Sequence, residues 1–280
     1  MFLSEPFPML SASWFKVLAF FGLWSAIWLP IALLISRLID WQPKEPLTLK
    51  QKLILLSSLY ILVPAILAWK IKVESLSLAS IGLSPVSNLL RDQLLGLMLS
   101  LVSLGIIFSL EFAFGLIDWH WHHLKKILPL ILPIFCLSLI ISLIEELVFR
   151  GYVFITLIAD NSWWFAAIAS SFIFAMLHLI WERKQTVAQL PGLFLMGIVL
   201  VMARTLAHDS LYLAIGLHAG WIWGLTCIDS AELITYRHQN HWMTGINQQP
   251  LAGFAGLLCL GITGLTLFGL FSSHLWSVIN

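Results

Sequence analysis

Charge is what this sequence has least of. Of its 280 residues, 15 are Lys or Arg and 14 are Asp or Glu, so only 10% are charged. A water-facing surface needs about 25%, which excludes an ordinary soluble globular domain. Neither sign is in excess: a net charge of +1 leaves no basic footprint for nucleic acid and no bias toward an acidic partner. Cysteine is also scarce. Cys136, Cys227 and Cys259 lie far apart in apolar stretches without a Cys-x-x-Cys motif, which argues against a disulfide framework and reads as three small buried hydrophobes. No repeat, low-complexity tract or shift in composition marks a second domain. Residues 1–280 therefore read as one integral-membrane domain.

What the chain has in abundance is apolar length, at 60% hydrophobic residues and a mean hydropathy of +0.93. A hydrocarbon core of about 30 Å takes about 20 helical residues to cross. Runs of that kind fall at 14–36, 52–70, 93–117, 128–157, 162–181, 188–205, 210–229 and 251–272. The expected fold is all-α, a polytopic bundle of about eight transmembrane helices. The first run follows Glu5 rather than a basic cluster and reads as a retained helix, not a secretory signal. Segment 71–90 is half apolar and contains Pro85, so it reads as interfacial.

Lys and Arg placement predicts the orientation. Loops 1–2, 3–4, 5–6 and 7–8 hold Arg37, Lys44, Lys50, Lys52, Lys125, Lys126, Arg183, Lys184 and Arg237. The other side holds Lys16, Lys70, Lys72, Arg91 and Arg204. The richer side is expected to face the cytoplasm. His120, His122 and His123 sit beside Trp119 and Trp121 and read as an interfacial belt rather than a metal site. His238, His241 and His274 are read in the same way.

Against this apolar background, the run ISLIEELVFRGYVF at 141–154 carries Glu145, Glu146 and Arg150. Three such groups in a span oppose insertion by about 7–10 kcal/mol before any pairing. Glu146 and Arg150 are i and i+4 and can pair on one helical face. Glu145 lies about 100° round the helix and points elsewhere. The fifth span places Phe174 and His178 at i, i+4, and the seventh carries His218 at its middle. Ionisable groups inside a membrane face the bundle interior or a wet cavity, so these helices are expected to converge. Glu145, His178 and His218 should then line one polar cavity, with Glu146 closer than Glu145 to Arg150.

Glu145-Glu146-x-x-x-Arg150, Phe174-x-x-x-His178 and His218, in that order on successive spans, resemble the motifs of the CPBP family. This is the family of CAAX proteases and bacteriocin-processing enzymes, also called Abi, and it includes the Ras-converting CAAX prenyl endopeptidase. The likeness covers about 125–230; the first 120 residues resemble the family only in being hydrophobic spans. It implies an eight-helix intramembrane peptidase. Glu145 matches the water-activating glutamate, His178 the histidine that helps to position that water, and His218 the histidine that supports the oxyanion. Glu146 and Arg150 match the residues that brace Glu145, and Phe174 belongs to the second motif. One position departs. The family's third motif is usually His-x-x-x-Asn, and His218 plus four is Ile222, which has no donor. The adjacent loop pair His208-Asp209 reads as solvated.

The expected activity is hydrolysis of a peptide bond by a glutamate-activated water, of CAAX or leader-peptide type. The partners are the lipid bilayer and a membrane-embedded or lipidated substrate, with no nucleic acid and no cofactor. The cavity is expected to open toward the cytoplasm, because His178 lies close to Glu182-Arg183-Lys184. A zinc version, with Zn²⁺ on Glu145, His178 and His218, is an alternative that the donor types allow. A catalytically weak or inactive membrane scaffold or immunity protein is another, and Ile222 favours it. A proton-relaying transporter using Glu111, Glu145 and Glu146 is the third, although no pair of broken helices in matching halves supports it.

Overall fold

The computed structural model describes residues 12–42, 47–83, 89–180, 183–238 and 240–279. Glu5, Lys44, Pro85 and Glu182 fall outside the described residues, as do the side chains of Arg183, Lys184 and His274.

Among the described residues eight long helices follow one another: α1 (Ala12–Leu38), α2 (Leu49–Val73), α3 (Leu89–Ala113), α4 (Ile131–Ile158), α5 (Trp163–Leu177), α6 (Arg183–Leu206), α7 (Tyr212–Ser230) and α8 (Phe254–Ile279). All eight expected spans are present as helices. Length and composition alone qualify six of them, α1 to α6, to cross a membrane, and α8 adds a shorter apolar stretch, Phe254–Leu270. The protein is a multi-pass integral membrane protein. α7 is the exception in hydropathy for a reason visible in its packing: residues 213–221 form an unbroken buried run. It is solvated by protein rather than lipid.

Local chemistry sets the helix ends. Thr48 caps α2 in a capping box, its hydroxyl accepting the Gln51 amide while the Gln51 side chain accepts the Thr48 amide. Ser162 caps α5 by accepting the Phe165 amide. Segment 74–83 is a run of turns, in keeping with its expected exclusion from the spans. There the carbonyl of Gly82, at φ +91°, accepts the amide of Leu211 at the start of α7.

α3 and α7 lie almost backbone to backbone. A Cβ on Gly216 would fall 2.1 Å from the Gln93 carbonyl oxygen, and one on Gly220 would fall 1.8 Å from Ser100 Oγ. Small residues at such spacing let membrane helices approach closely. α4 and α6 pack beside α7, and α5 and α8 beside α6. The core joins residues of α1, α2 and α4 to α8, from Phe20 through Tyr152 and Phe174 to Leu200 and Leu217.

At one end, β1 (Ile117–Trp119) pairs antiparallel with β2 (Ile234–Tyr236), Ile117 opposite Tyr236, so that loops 3–4 and 7–8 are tied together. A second short ribbon pairs β3 (Asn240–His241) with β4 (Gly245–Ile246). The histidines beside β1 serve this junction. His120 Nε2 meets Thr235 Oγ1 at 2.8 Å, His123 Nδ1 meets the Glu232 carbonyl at 2.9 Å, and Trp119 stacks on Trp121.

Two readings from the sequence need correction. Cys136 is exposed, on an apolar outer face, whereas Cys227 and Cys259 are buried. Lys70 and Arg204, counted as boundary charges, are 8% and 3% exposed. Both are retained inside by partners: Lys70 pairs with Glu74, and Arg204 donates to backbone carbonyls.

Candidate active site in the bundle

The Glu145–Arg150 run does not lie on a regular α-helix. α4 is α-helical over Ile131–Glu146, turns to π-helix over Leu147–Val153, and resumes as α-helix over Phe154–Ile158. The Phe154 amide reaches the Phe149 carbonyl, five residues back. Such π-turns are rare and cluster at functional sites. A second cation stabilises this one, since Arg204 Nη1 of α6 donates to the Arg150 carbonyl and its Nη2 donates to the Ser80 carbonyl at 3.0 Å.

The two glutamates have different partners. Glu146 and Arg150 are fully buried, and Arg150 Nη1 donates to Glu146 Oε1 at 3.0 Å. Arg150 Nη2 donates to the Gly197 carbonyl at 3.2 Å, and the guanidinium sits 4.4 Å over the Phe174 ring. A Cβ on Gly197 would meet Ser171 Cβ at 2.6 Å, so α5 and α6 come together at this point only because residue 197 lacks a side chain. Glu145 is turned away from this knot. It accepts a hydrogen bond from the Tyr60 hydroxyl of α2, and its other oxygen is 3.6 Å from His218 Nε2.

His218 links the two carboxylates. Its Nδ1 lies 2.8 Å from Glu146 Oε1. A carboxylate paired with arginine is acceptor-only, so Nδ1 carries the proton there. Nε2, facing Glu145, then donates only when the ring takes up a second proton. His178 follows α5 in a 3₁₀ turn, and its Nδ1 donates to the Phe174 carbonyl at 2.8 Å. The Phe174 ring lies edge-on to both histidines, 4.6 Å from His178 and 6.0 Å from His218.

Glu145, His178 and His218 line a single cavity of about 470 Å³, together with Tyr60, Glu111 and Ile222. Glu146, Arg150 and Phe174 lie behind its wall. The expectation of a polar cavity needs revision: Trp24, Trp28, Leu56, Phe108, Val148 and similar side chains make up most of the wall. The polar groups form one cluster on an apolar surface. Lys52, Ile180, Thr186 and Pro250 also line it, so the cavity extends to the end of the bundle where loops 1–2, 5–6 and 7–8 lie. His208 and Asp209 are not among the lining residues.

Among the described residues, no group of three or more His, Cys, Asp or Glu side chains is placed to hold a metal ion. Glu145, His178 and His218 are therefore not arranged as the zinc ligand set that their types would allow.

Fold and site together define a polytopic membrane protein with a buried glutamate–histidine centre. Residues 126–224 match the family model described as type II CAAX prenyl endopeptidase Rce1-like, so that this part of the chain is similar to that family. No curated protein and no solved structure matches the chain.

Sequence reasoning missed Tyr60 and Arg204. The available signal was weak: one of only four tyrosines in the chain, and a single charge near the end of an apolar run.

Proposed function

We propose that this protein is an intramembrane endopeptidase in which Glu145 is the general base. The likeness of residues 126–224 to the type II CAAX prenyl endopeptidase Rce1-like family supports a CAAX-type intramembrane protease kind of function. The observation that carries the finer reading is the division of labour between the two glutamates. Glu146 is held by Arg150 and His218, while Glu145 faces the cavity shared with both histidines.

In this mechanism the Glu145 carboxylate takes a proton from a water, whose oxygen bonds to the scissile carbonyl carbon as the carbonyl π electrons move to oxygen. His178, with Nδ1–H held by the Phe174 carbonyl, presents Nε2 as an acceptor for the second water proton. His218, as imidazolium between two carboxylates, supports the oxyanion. The tetrahedral intermediate collapses, the C–N bond breaks, and Glu145 returns its proton to the leaving nitrogen. The apolar wall fits a membrane-embedded or lipidated peptide, of CAAX or leader-peptide type, entering from the cytoplasmic end.

The test is cleavage of prenylated and unmodified membrane peptides by purified protein, with and without chelator. Glu145→Ala is expected to lower kcat by about 10²–10⁴, with chelator having no effect. A second reading, a non-hydrolytic membrane scaffold, is favoured by one observation, Ile222 on the cavity wall where the family's motif carries a donor. Equal inertness of wild type and Glu145→Ala, with the variant still performing the cellular task, selects that reading.

A further inference from the structure

The chemistry proposed for Glu145 creates a problem that the site must solve. Negative charge develops on the carbonyl oxygen, and a preorganised donor must meet it. Most donors on the cavity wall have partners already. The indole N–H groups of Trp24, Trp28 and Trp221 are directed at the Leu59 carbonyl, Ser58 Oγ and Ser103 Oγ. His178 uses Nδ1–H on the Phe174 carbonyl, and His218 uses Nδ1–H on Glu146. His218 Nε2 becomes a donor only in the doubly protonated ring. Ile222, one turn beyond His218 on the same wall, offers nothing.

We propose that the Tyr60 hydroxyl is a second oxyanion donor alongside His218, filling the role that Ile222 cannot, and is a catalytic residue supplied by α2. The proposal rests on the peptidase reading. Tyr60 lines the cavity and its hydroxyl already donates to Glu145 Oε1. A donor that touches the general base lies within one water's reach of the carbon that the base-activated water attacks. The bond also has a reason to change partner during the reaction. Before attack, the Glu145 carboxylate is the strongest acceptor beside Tyr60. Once Glu145 has taken the water's proton it is neutral and a weaker acceptor, and the full negative charge sits on the former carbonyl oxygen. The hydroxyl turns from one to the other and keeps its own proton throughout. No atom is exchanged, and the group returns to Glu145 when the oxyanion collapses and the proton passes to the leaving nitrogen. A donor directed at charge that exists only in the transition state acts on kcat and leaves ground-state binding alone.

The rival role is static: Tyr60 anchors Glu145 and nothing more. The experiment measures kcat, KM and the pH profile on a cleaved peptide for wild type, Tyr60→Phe, Tyr60→Gln, Ile222→Asn and the Tyr60→Phe/Ile222→Asn double variant, with thermal stability alongside. Expected is a loss in kcat on the order of 10²–10³ for Tyr60→Phe at nearly constant KM. Tyr60→Gln, which keeps a donor, should retain more activity. Ile222→Asn should restore at least about tenfold in the Tyr60→Phe background and give a smaller gain in wild type, because the two donors serve one charge and are not additive. A Tyr60→Phe enzyme with wild-type kcat overturns the proposal and leaves the peptidase reading intact. So does an equal loss in Tyr60→Phe and Tyr60→Gln with no rescue by Ile222→Asn and a shifted acidic limb, the mark of an anchor for Glu145. A wild type that cleaves no peptide overturns both.

Discussion

Arg150 is fully enclosed, and its contacts divide between a carboxylate, a carbonyl and an aromatic face. Truncating it leaves Glu146 buried with only His218 as a partner, and such stranding costs about 3–5 kcal/mol. Arg150→Ala is therefore expected to lower folded yield and thermal stability as well as activity; normal yield and melting temperature would remove the bracing role. Ile222→Asn tests the opposite case, adding a polar group where the wall is apolar. Position 222 shares a face with His218 and a cavity with Glu145, so the amide can reach the developing charge. Turnover is expected to rise with little change in KM, and a protein that folds normally but gains nothing would place residue 222 outside the reacting geometry.

Between α3 and α7, glycine is a spacing device, and its absence of a side chain can be weighed position by position. Gly216→Ala places a methyl on the Gln93 backbone, which cannot move aside, whereas a Cβ on Gly105 of α3 meets nothing within 4 Å. Overpacking of this kind costs about 1–3 kcal/mol, and replacing an unencumbered helical glycine by alanine gains about 0.4–1 kcal/mol. The expected result is a lower melting temperature and activity for Gly216→Ala and an unchanged or higher melting temperature for Gly105→Ala. The eight helices were legible in the sequence because lipid demands uninterrupted apolar runs, and the Glu146–Arg150 pair was legible because i, i+4 spacing is local. The π-turn was not, since it is a hydrogen-bond register that leaves no trace in composition. Nor was the Tyr60–Glu145 bond, which joins residues 85 apart with no motif around the tyrosine. Cys136 was misread because "apolar surroundings" means core in water but either core or lipid face in a bilayer.

For the molecule as a whole, the ribbon between β1 and β2 joins two loops at the end toward which the cavity extends. Its edge carries Asp118 held by Arg237 through paired contacts at 2.7 and 3.0 Å, and Glu232 held by Lys126 at 2.8 Å. The bond from Arg237 lowers the Asp118 carboxyl below its usual range, and that from Lys126 does the same for Glu232. Groups depressed by folding stabilise the ribbon above their unfolded values, about 4, and lose that contribution as pH falls through the lower folded values. Cleavage of 117–119 and 234–236 by an acid-active protease should be flat above about pH 5 and rise below about pH 4, and Arg237→Gln should flatten the Asp118 part of that rise. The proposed orientation is tested by single cysteines placed at Thr235 and at Asp160, with Cys136, Cys227 and Cys259 removed. An impermeant maleimide is expected to label Thr235→Cys from the cytoplasmic side and Asp160→Cys from the other. The Glu146–Arg150 pair has a further consequence in time. The ribosome adds roughly 5–20 residues per second, and His218 follows Glu146 by 72 residues, so Glu146 is made roughly 4–15 seconds before its histidine exists. Gly197 is late as well. During that interval the only partner Glu146 can carry with it is the arginine encoded four residues later, and the nascent helix partitions into lipid with that internal counter-ion already aboard.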